Sequence, residues 1–193
     1  LASCSRSTAL IAIFLAPPEA PRPGLAPNTM ALMPLRTSPL DLHDNTHTTA
    51  LITLLDHYAH DPMGGATGLS LHAKAHLVEA LRSRTDYFAH IAWLGDEAVG
   101  LINCFEGFST FAARPLLNVH DIVVMREHRG KGIGRALLAA AEAHAIQRGC
   151  CKLTLEVLDR NAVAMSAYIA FGFAPYALDP AAGSAVFLQK LLS

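Results

Sequence analysis

Charge is scarce in this sequence. Fifteen Lys and Arg against sixteen Asp and Glu in 193 residues leave a formal net charge of −1. A chain so balanced has no global field for a polyanion, so nucleic acid is not an expected partner and any basic patch must be local. Long apolar runs are missing too. Although 52% of the residues are hydrophobic, no run approaches the roughly 20 residues of a membrane span, and no membrane partner is expected. Cysteine is sparse: Cys4, Cys104, Cys150 and Cys151 form neither a metal-ligand spacing nor a disulfide framework. The adjacent pair Cys150 and Cys151 reads as the start of a strand in a reducing compartment. The phosphate-loop pattern GxxxxGK[ST] is absent, and no internal repeat appears. The length and apolar content suit one domain with a sizeable core.

The chain is organised around Asn118 to Leu138, NVHDIVVMREHRGKGIGRALL. An apolar strand passes through a basic glycine loop and opens into a helix. Gly130, Gly132 and Gly134 alternate with Lys131 and Ile133, which lets the backbone approach a ligand and exposes consecutive amide N–H groups. The helix adds its first-turn N–H groups and the positive end of its dipole. Arg129, Lys131 and Arg135 add formal charge. Such a stretch suits a phosphate or pyrophosphate. A Rossmann loop, GxGxxG, would need a third glycine where Arg135 stands, with an acidic residue about twenty positions on. Glu156 lies at a tolerable distance, so a dinucleotide binder stays open.

The same loop resembles the cofactor signature of the GNAT-type N-acetyltransferases, Q/R-x-x-G-x-G/A, filled here by Arg129, Gly130, Lys131, Gly132, Ile133 and Gly134. Downstream, LTLEVLDRNAVAMSAYIAFGF (Leu153 to Phe173) is similar to that family's next strand, its asparagine-started helix and its Y-x-x-x-G-F ending. More weakly, the similarity runs from about Leu35 to the C-terminus. The resemblance implies the GNAT fold, an α/β (α+β layered) domain whose mixed, mostly antiparallel central sheet is flanked by helices. It also implies acetyl-CoA as co-substrate.

The first residues read differently from the rest. Arg6 precedes the apolar run Ala9 to Ala16, and the Pro-rich PPEAPRPGLAP follows. This faintly resembles a signal peptide, but a mis-set start, with Met30 or Met33 as initiator, fits better. Residues 1–32 are expected to be poorly ordered and residues 33–193 to form the acetyltransferase domain. An enzyme using acetyl-CoA is expected in the cytoplasm.

Along the domain, Met33 to Thr37 reads as a short strand. Thr46 to His60 reads as a helix, with Leu51, Leu54, Leu55 and Tyr58 at helical spacing. Pro62, Gly64 and Gly65 break it. Ser70 is a candidate N-cap for a helix from Leu71 to about Arg84, with Leu77, Ala80 and Leu81 inward. His72 and His76 have zinc-ligand spacing but no third ligand, so scattered surface histidines and no metal are expected. Tyr87 to Leu94 and Ala98 to Phe105 read as a hairpin turned at Gly95 and Asp96. CFEGFSTFAARP, Cys104 to Pro115, reads as a loop. It covers the core or walls the acceptor site, and it is faintly similar to the aromatic-Ser-Thr stretch of diamine and thialysine acetyltransferases. Glu106 and Phe108 would then meet the substrate. Leu116 to Met125 is the strand into the glycine loop. Ile133, Leu137, Ala141 and Ala145 form an inward stripe closed by Arg148 and Gly149. Lys152 to Leu158 alternates as a strand, Asn161 starts a helix ended by Gly172, and Phe173 to Tyr176 and Ala185 to Leu191 read as closing strands.

Acetyl transfer to an amine needs a held thioester, a neutral amine, a stabilised oxyanion and a protonated leaving thiol. The family resemblance implies that the pantetheine arm runs along Ile122, Val123 and Val124, where a backbone N–H also serves as oxyanion donor. It implies that Asn161 contacts this arm and that Tyr168 sits near the sulfur as general acid. The two are seven residues apart and share a helix face. A core tyrosine is the plain alternative. His120 and Asp121 match a Glu-Asp pair of the diamine acetyltransferases, and His120 in the glutamate position puts a diamine substrate in doubt. An imidazole there can take the amine's proton directly or through water; a structural histidine within the sheet fits equally. Neighbours on a strand face opposite ways, so both reach the acceptor only across a bulge.

The expected activity is direct attack by a primary amine of a small molecule in a ternary complex. Acetylation of a protein or peptide N-terminus and a non-catalytic acyl-CoA-binding module remain as alternatives, and a homodimer stays open.

Overall fold

The computed structural model describes residues 34–61, 66–176 and 187–190. Among these, the order of elements is β1 (Leu35–Pro39), α1 (Asn45–His60), α2 (Leu71–Arg82), β2 (Tyr87–Leu94), β3 (Glu97–Ser109), β4 (Arg114–Val124), α3 (Ile133–Gln147), β5 (Leu153–Leu155) and α4 (Ala162–Phe171). The five strands form one sheet in sequence order. Three neighbouring pairs are antiparallel, and only β4 with β5 is parallel, joined by the α3 crossover. This is the mixed, mostly antiparallel sheet expected. It excludes the Rossmann alternative, which needs a parallel sheet wound outward from its first strand.

Both faces of the sheet are covered. On one, Ala92, Ile102, Cys104, Leu117 and Val119 pack against Ile133, Leu137, Leu138 and Ala141 of α3, with Tyr168 and Phe171 of α4 alongside. On the other, Ile91, Trp93, Leu101 and Val123 pack against Leu51, Leu54 and Leu55 of α1 and Leu81 of α2. Side chains cap the N-termini of α1 and α2. Asp44 accepts from the Thr46 and His47 N–H groups at 2.6 and 3.1 Å, and Ser70 Oγ accepts from Ala73 N at 3.0 Å. Gly100 brings α3 onto the sheet, since a Cβ there would sit 3.0 Å from Ile133 Cγ2 and from the Val123 carbonyl.

Several expected boundaries move. The first strand is Leu35–Pro39, and Met33 lies outside the described residues. The second helix stops at Arg82; Ala80 is exposed, and Val78 packs inward instead. The expected loop Cys104 to Pro115 is the outer half of a long hairpin, turned at Thr110–Ala113. Gly107 does not break β3, because it faces Leu116 across the ladder, where a Cβ would meet Leu116 Cδ1 at 3.3 Å. Pro115 is tolerated near the start of β4, its carbonyl accepting from Cys151 N at 2.8 Å. β5 is three residues rather than seven. Phe173–Tyr176 forms no strand, and Phe187–Lys190 pairs with none of the described strands; Ala185, Val186 and Leu191 lie outside the described residues. Residues 1–32 and Pro62, Gly64 and Gly65 also lie outside them. No described helix is long and apolar enough to cross a membrane.

Candidate active site

The site is built where β4 loses its neighbour among the described residues. Pairing with β5 covers only Leu117 to Val119, while β4 continues to Val124. Met125 N donates to Val99 O at 2.9 Å, which fixes the alternation of the β3–β4 ladder. Val123 turns its backbone groups towards β3, whereas Ile122 and Val124 turn theirs to the open edge. The expected run of three edge contacts therefore reduces to these two, and Val123 is a core residue of the α1 face.

At the end of this edge a 3₁₀ turn, Arg126–His128, leads into the glycine loop. Gly130 and Gly132 have φ of 76° and 80°, the left-handed region that favours glycine. A Cβ built on either would meet nothing within 4 Å, so the loop leaves an open cradle beside its backbone. Gly132 is the N-cap of α3 and offers no side-chain cap, which leaves the first-turn amides to an external anion. The residues present thus fit a pyrophosphate. Gly134 lies over Val124, 3.9 Å from its Cγ2 to a built Cβ, and Ile133 is an anchor buried in the core rather than a surface contact.

The loop's charges divide. Arg135 is exposed and stands over the Phe171 ring at 5.9 Å; Lys131 Nζ lies 3.4 Å from His128 Nδ1. Arg129 is turned back into the protein. Its Nη2 donates to Asp61 Oδ2 at 3.0 Å and its Nε to Val124 O at 3.1 Å, so it ties the loop to the end of α1 and occupies one edge carbonyl. Asp61, only 9% exposed, also lies 3.8 Å from Arg126.

A bulge organises the other end of the site. Asn103 pairs with Asp121 but Cys104 pairs with Val119, leaving His120 as the extra residue of β4. Leu117 and Val119 therefore face α3, and Asp121 and Val123 face α1. His120 is exposed, with its ring edge-on to Phe105 at 5.5 Å, and Phe105 belongs to the α1 face. The bulge brings His120 and Asp121 to one face. Asp121 Oδ2 accepts from Asn103 Nδ2 at 3.1 Å. Burial, then the Asp121 and Asp61 carboxylates, raise the Tyr58 phenol above its ordinary value.

Asn161 caps α4, its Oδ1 accepting from Ala164 N at 3.2 Å, which leaves its amide N–H groups for a ligand. Tyr168 lies two turns along, edge-on to Phe173 at 5.9 Å, and its hydroxyl has no hydrogen-bond partner among the described residues. Burial, and secondarily Tyr58, push this phenol up to about 12. Glu106 is not part of the site. It faces α3, where Arg148 holds it by Nε at 2.8 Å and Nη2 at 3.2 Å and keeps its carboxyl below the usual range. Phe108 sits near the hairpin tip, 64% exposed and away from His120. His72 and His76 stack at 4.3 Å on exposed positions of α2. The sequence does not single out Asp61 or Asn103, and it places Tyr58 only in an apolar stripe; the signal available was a polar residue on an otherwise apolar stripe or strand face.

Residues 49–173 match the model of the Acetyltransferase (GNAT) family. The chain belongs to the GNAT family. Streptothricin acetyltransferase of Streptomyces lavendulae is 44% identical over 87 residues, 44% of this chain and 46% of that protein. Thialysine N-epsilon-acetyltransferase of Bos taurus is 37% identical over 78 residues, 40% and 45% of the two chains. The matched segments thus span about half the length of the curated relatives. Among solved structures, an aminoglycoside acetyltransferase from an uncultured soil metagenomic sample, in complex with trehalose, superposes with a TM-score of 0.67 over 82% of this chain and 97% of its own, at 19% identity. At that identity the likeness is one of GNAT fold.

Proposed function

We propose that this GNAT protein is an acetyl-CoA-dependent N-acetyltransferase acting on a primary amine of a small molecule, by direct attack in a ternary complex. The observation that carries the reading is the open β4 edge at Ile122 and Val124, ending on the uncapped N-terminus of α3. An edge that offers backbone donors and acceptors, followed by an anion cradle, fits a thioester arm ending in a pyrophosphate. Bound acetyl-CoA would supply the acetyl thioester. Gly130, Lys131, Gly132, Gly134 and Arg135 would hold its phosphates, with Ile122, Val124 and Asn161 along the arm.

The protein's own part is then proton management. His120 takes a proton from the attacking amine as the N–C bond forms, and Tyr168 offers its hydroxyl to the departing sulfur as the C–S bond breaks. A phenol pushed to about 12 stays protonated across the working range. An efficient proton donor has a pKa near the operating pH, so Tyr168 acts more as a hydrogen-bond donor to developing negative charge than as a fully transferred proton. Asp121 lies beside His120 on the acceptor side, and its carboxylate favours a cationic acceptor. The relatives named for streptothricin and thialysine support a small amine, and a reducing, acetyl-CoA-supplied cytoplasm suits the free thiols of Cys104, Cys150 and Cys151.

The test is release of CoA with a panel of spermidine, L-lysine, an aminoglycoside, 2-phenylethylamine and a peptide with a free N-terminus. Turnover of a small amine is expected; turnover of the peptide alone would move the reading to N-terminal acetylation, and turnover of none would remove it. With the working acceptor, a kcat/KM profile from about pH 6 to about 9.5 separates the roles. The His120→Ala defect should shrink towards alkaline pH, where neutral amine is available without a base. The Tyr168→Phe defect should persist. A His120→Ala defect constant over that range would remove the base assignment.

A further inference from the structure

Asn103 is one of two buried polar residues among those described, and it is 4% exposed. It sits on β3 opposite Asp121, at the last pair before the bulge. Its Nδ2 donates to Asp121 Oδ2 at 3.1 Å, and its Oδ1 accepts from the Tyr87 hydroxyl at 2.7 Å. Tyr87 lies on β2, the next strand, where Ala89 is the register partner of Asn103, so Tyr87 is the diagonal neighbour on the α1 face.

The chain Tyr87–Asn103–Asp121 has only one consistent direction. A carboxylate accepts and cannot donate, so the amide must turn its NH₂ to Asp121 and its oxygen to Tyr87, which can donate. Burial and the Asp121 charge raise the Tyr87 phenol far above its ordinary value, so it remains a donor at every working pH. One carboxylate oxygen, Oδ2, is thereby held. The other, Oδ1, has no hydrogen-bond partner among the described residues. It is not sealed either, since the single buried and unpartnered side-chain atom found there is His90 Nδ1. No cation among the described residues pairs with Asp121, and after burial, the larger cause, its field further raises the neighbouring acids Tyr58, Tyr87 and Cys104. A polar chain buried only for packing would be replaced by apolar residues at little cost. This one ends instead on an open, negatively charged oxygen beside His120.

We infer that Tyr87 and Asn103 are positioning residues that present Asp121 Oδ1 to the ammonium group of a cationic alkylamine acceptor. The inference rests on the acetyltransferase reading above and adds to it the residues that hold Asp121 in place for a cationic acceptor. Asp121 receives the ammonium form on binding; His120, next to it on the bulge, removes the proton for attack.

The experiment uses the full chain, acetyl-CoA, the alkylamine of the panel that turns over fastest, and 4-aminobenzoate, whose aromatic amine is uncharged at neutral pH. Asn103→Leu removes a hydrogen bond to a charged group, so the alkylamine KM should rise about ten- to a hundred-fold, with kcat changed less. Tyr87→Phe removes a neutral bond one step further away, and a rise of about two- to ten-fold is expected. Both variants should keep the parent's KM for acetyl-CoA and its thermal shift with that ligand, which controls for folding. In an Asp121→Asn background, Asn103→Leu should move the alkylamine KM by less than about two-fold, because contacting residues are non-additive. Turnover of 4-aminobenzoate, where seen, should be insensitive to Asn103→Leu. An unchanged alkylamine KM in Tyr87→Phe and Asn103→Leu, or additive effects with Asp121→Asn, would overturn this inference while leaving the acetyltransferase reading intact. Absence of turnover with every amine would overturn both.

Discussion

At the scale of single residues, burial decides what each ionisable group can do. Tyr168 and Cys104 are both pushed up to about 12 by burial, so neither is charged at neutral pH, and Cys104 is a packing residue rather than a nucleophile. His90 makes a prediction about stability. Its Nδ1 is buried without a partner, and burial, then His144, lower its pKa from the ordinary 6.5. The folded chain therefore holds this ring neutral while the unfolded chain binds a proton more readily. A depressed histidine contributes stability that is fully present above about 6.5 and lost as pH falls from there towards its folded value. His90→Phe keeps an aromatic ring beside Phe88, whose ring now lies 5.0 Å from His90. The drop in melting temperature between about pH 7.5 and 5.5 should be smaller in His90→Phe than in the parent. Equal drops would mean that His90 is not part of the acid sensitivity, leaving His144, which burial also lowers.

Among the elements, the periodic ones were legible and the interrupted ones were not. α1 and α3 follow from apolar spacing, and their core residues Leu51, Leu54, Leu55, Ile133, Leu137, Ala141 and Ala145 are all buried. The β3–β4 hairpin was misread beyond Phe105 because glycine and proline usually punctuate chains, and here cross-strand contacts with Leu116 override them. The bulge at His120 leaves no trace in sequence: it is a property of the pairing with Asn103 and Cys104. Glu106 looked like a substrate carboxylate because nothing local reveals Arg148, 42 residues away, as its partner. Arg129 looked like a phosphate ligand for the same reason, since Asp61 is 68 residues away. That last contact joins α1 to the glycine loop and is testable. Asp61→Asn keeps the shape and removes the charge that Arg129 and Arg126 face. The loop should then be less ordered, raising the KM for acetyl-CoA several-fold with kcat nearly unchanged, the signature of lost uniform binding. A variant with the parent's KM would show that the ion pair supports the fold alone.

On the scale of the whole molecule, the last part of one strand and the loop after it bring two chemistries together. β4 has the half-buried Asp121 carboxylate beside its bulge, ends shortly after at Val124 and leads into the basic glycine loop, with the open edge at Ile122 and Val124 between them. In the proposed reading the carboxylate suits an amine, the loop a pyrophosphate, and the edge holds the arm that brings the thioester to the amine. The claim on which everything else depends is that the loop Gly130–Gly134 holds the cofactor's phosphates. Thermal unfolding with and without acetyl-CoA, for the parent and Gly132→Asp, tests it directly. Aspartate tolerates a left-handed backbone better than most residues, so the variant should fold, while its side chain fills the open cradle and its charge repels a phosphate. At a ligand concentration about 100-fold above Kd, binding adds about 2.7 kcal/mol to the parent, a rise of roughly 5–10 °C for a domain of this size. The account predicts that rise in the parent and a shift below about 1 °C in a folded Gly132→Asp; a variant that gains as much as the parent would contradict it.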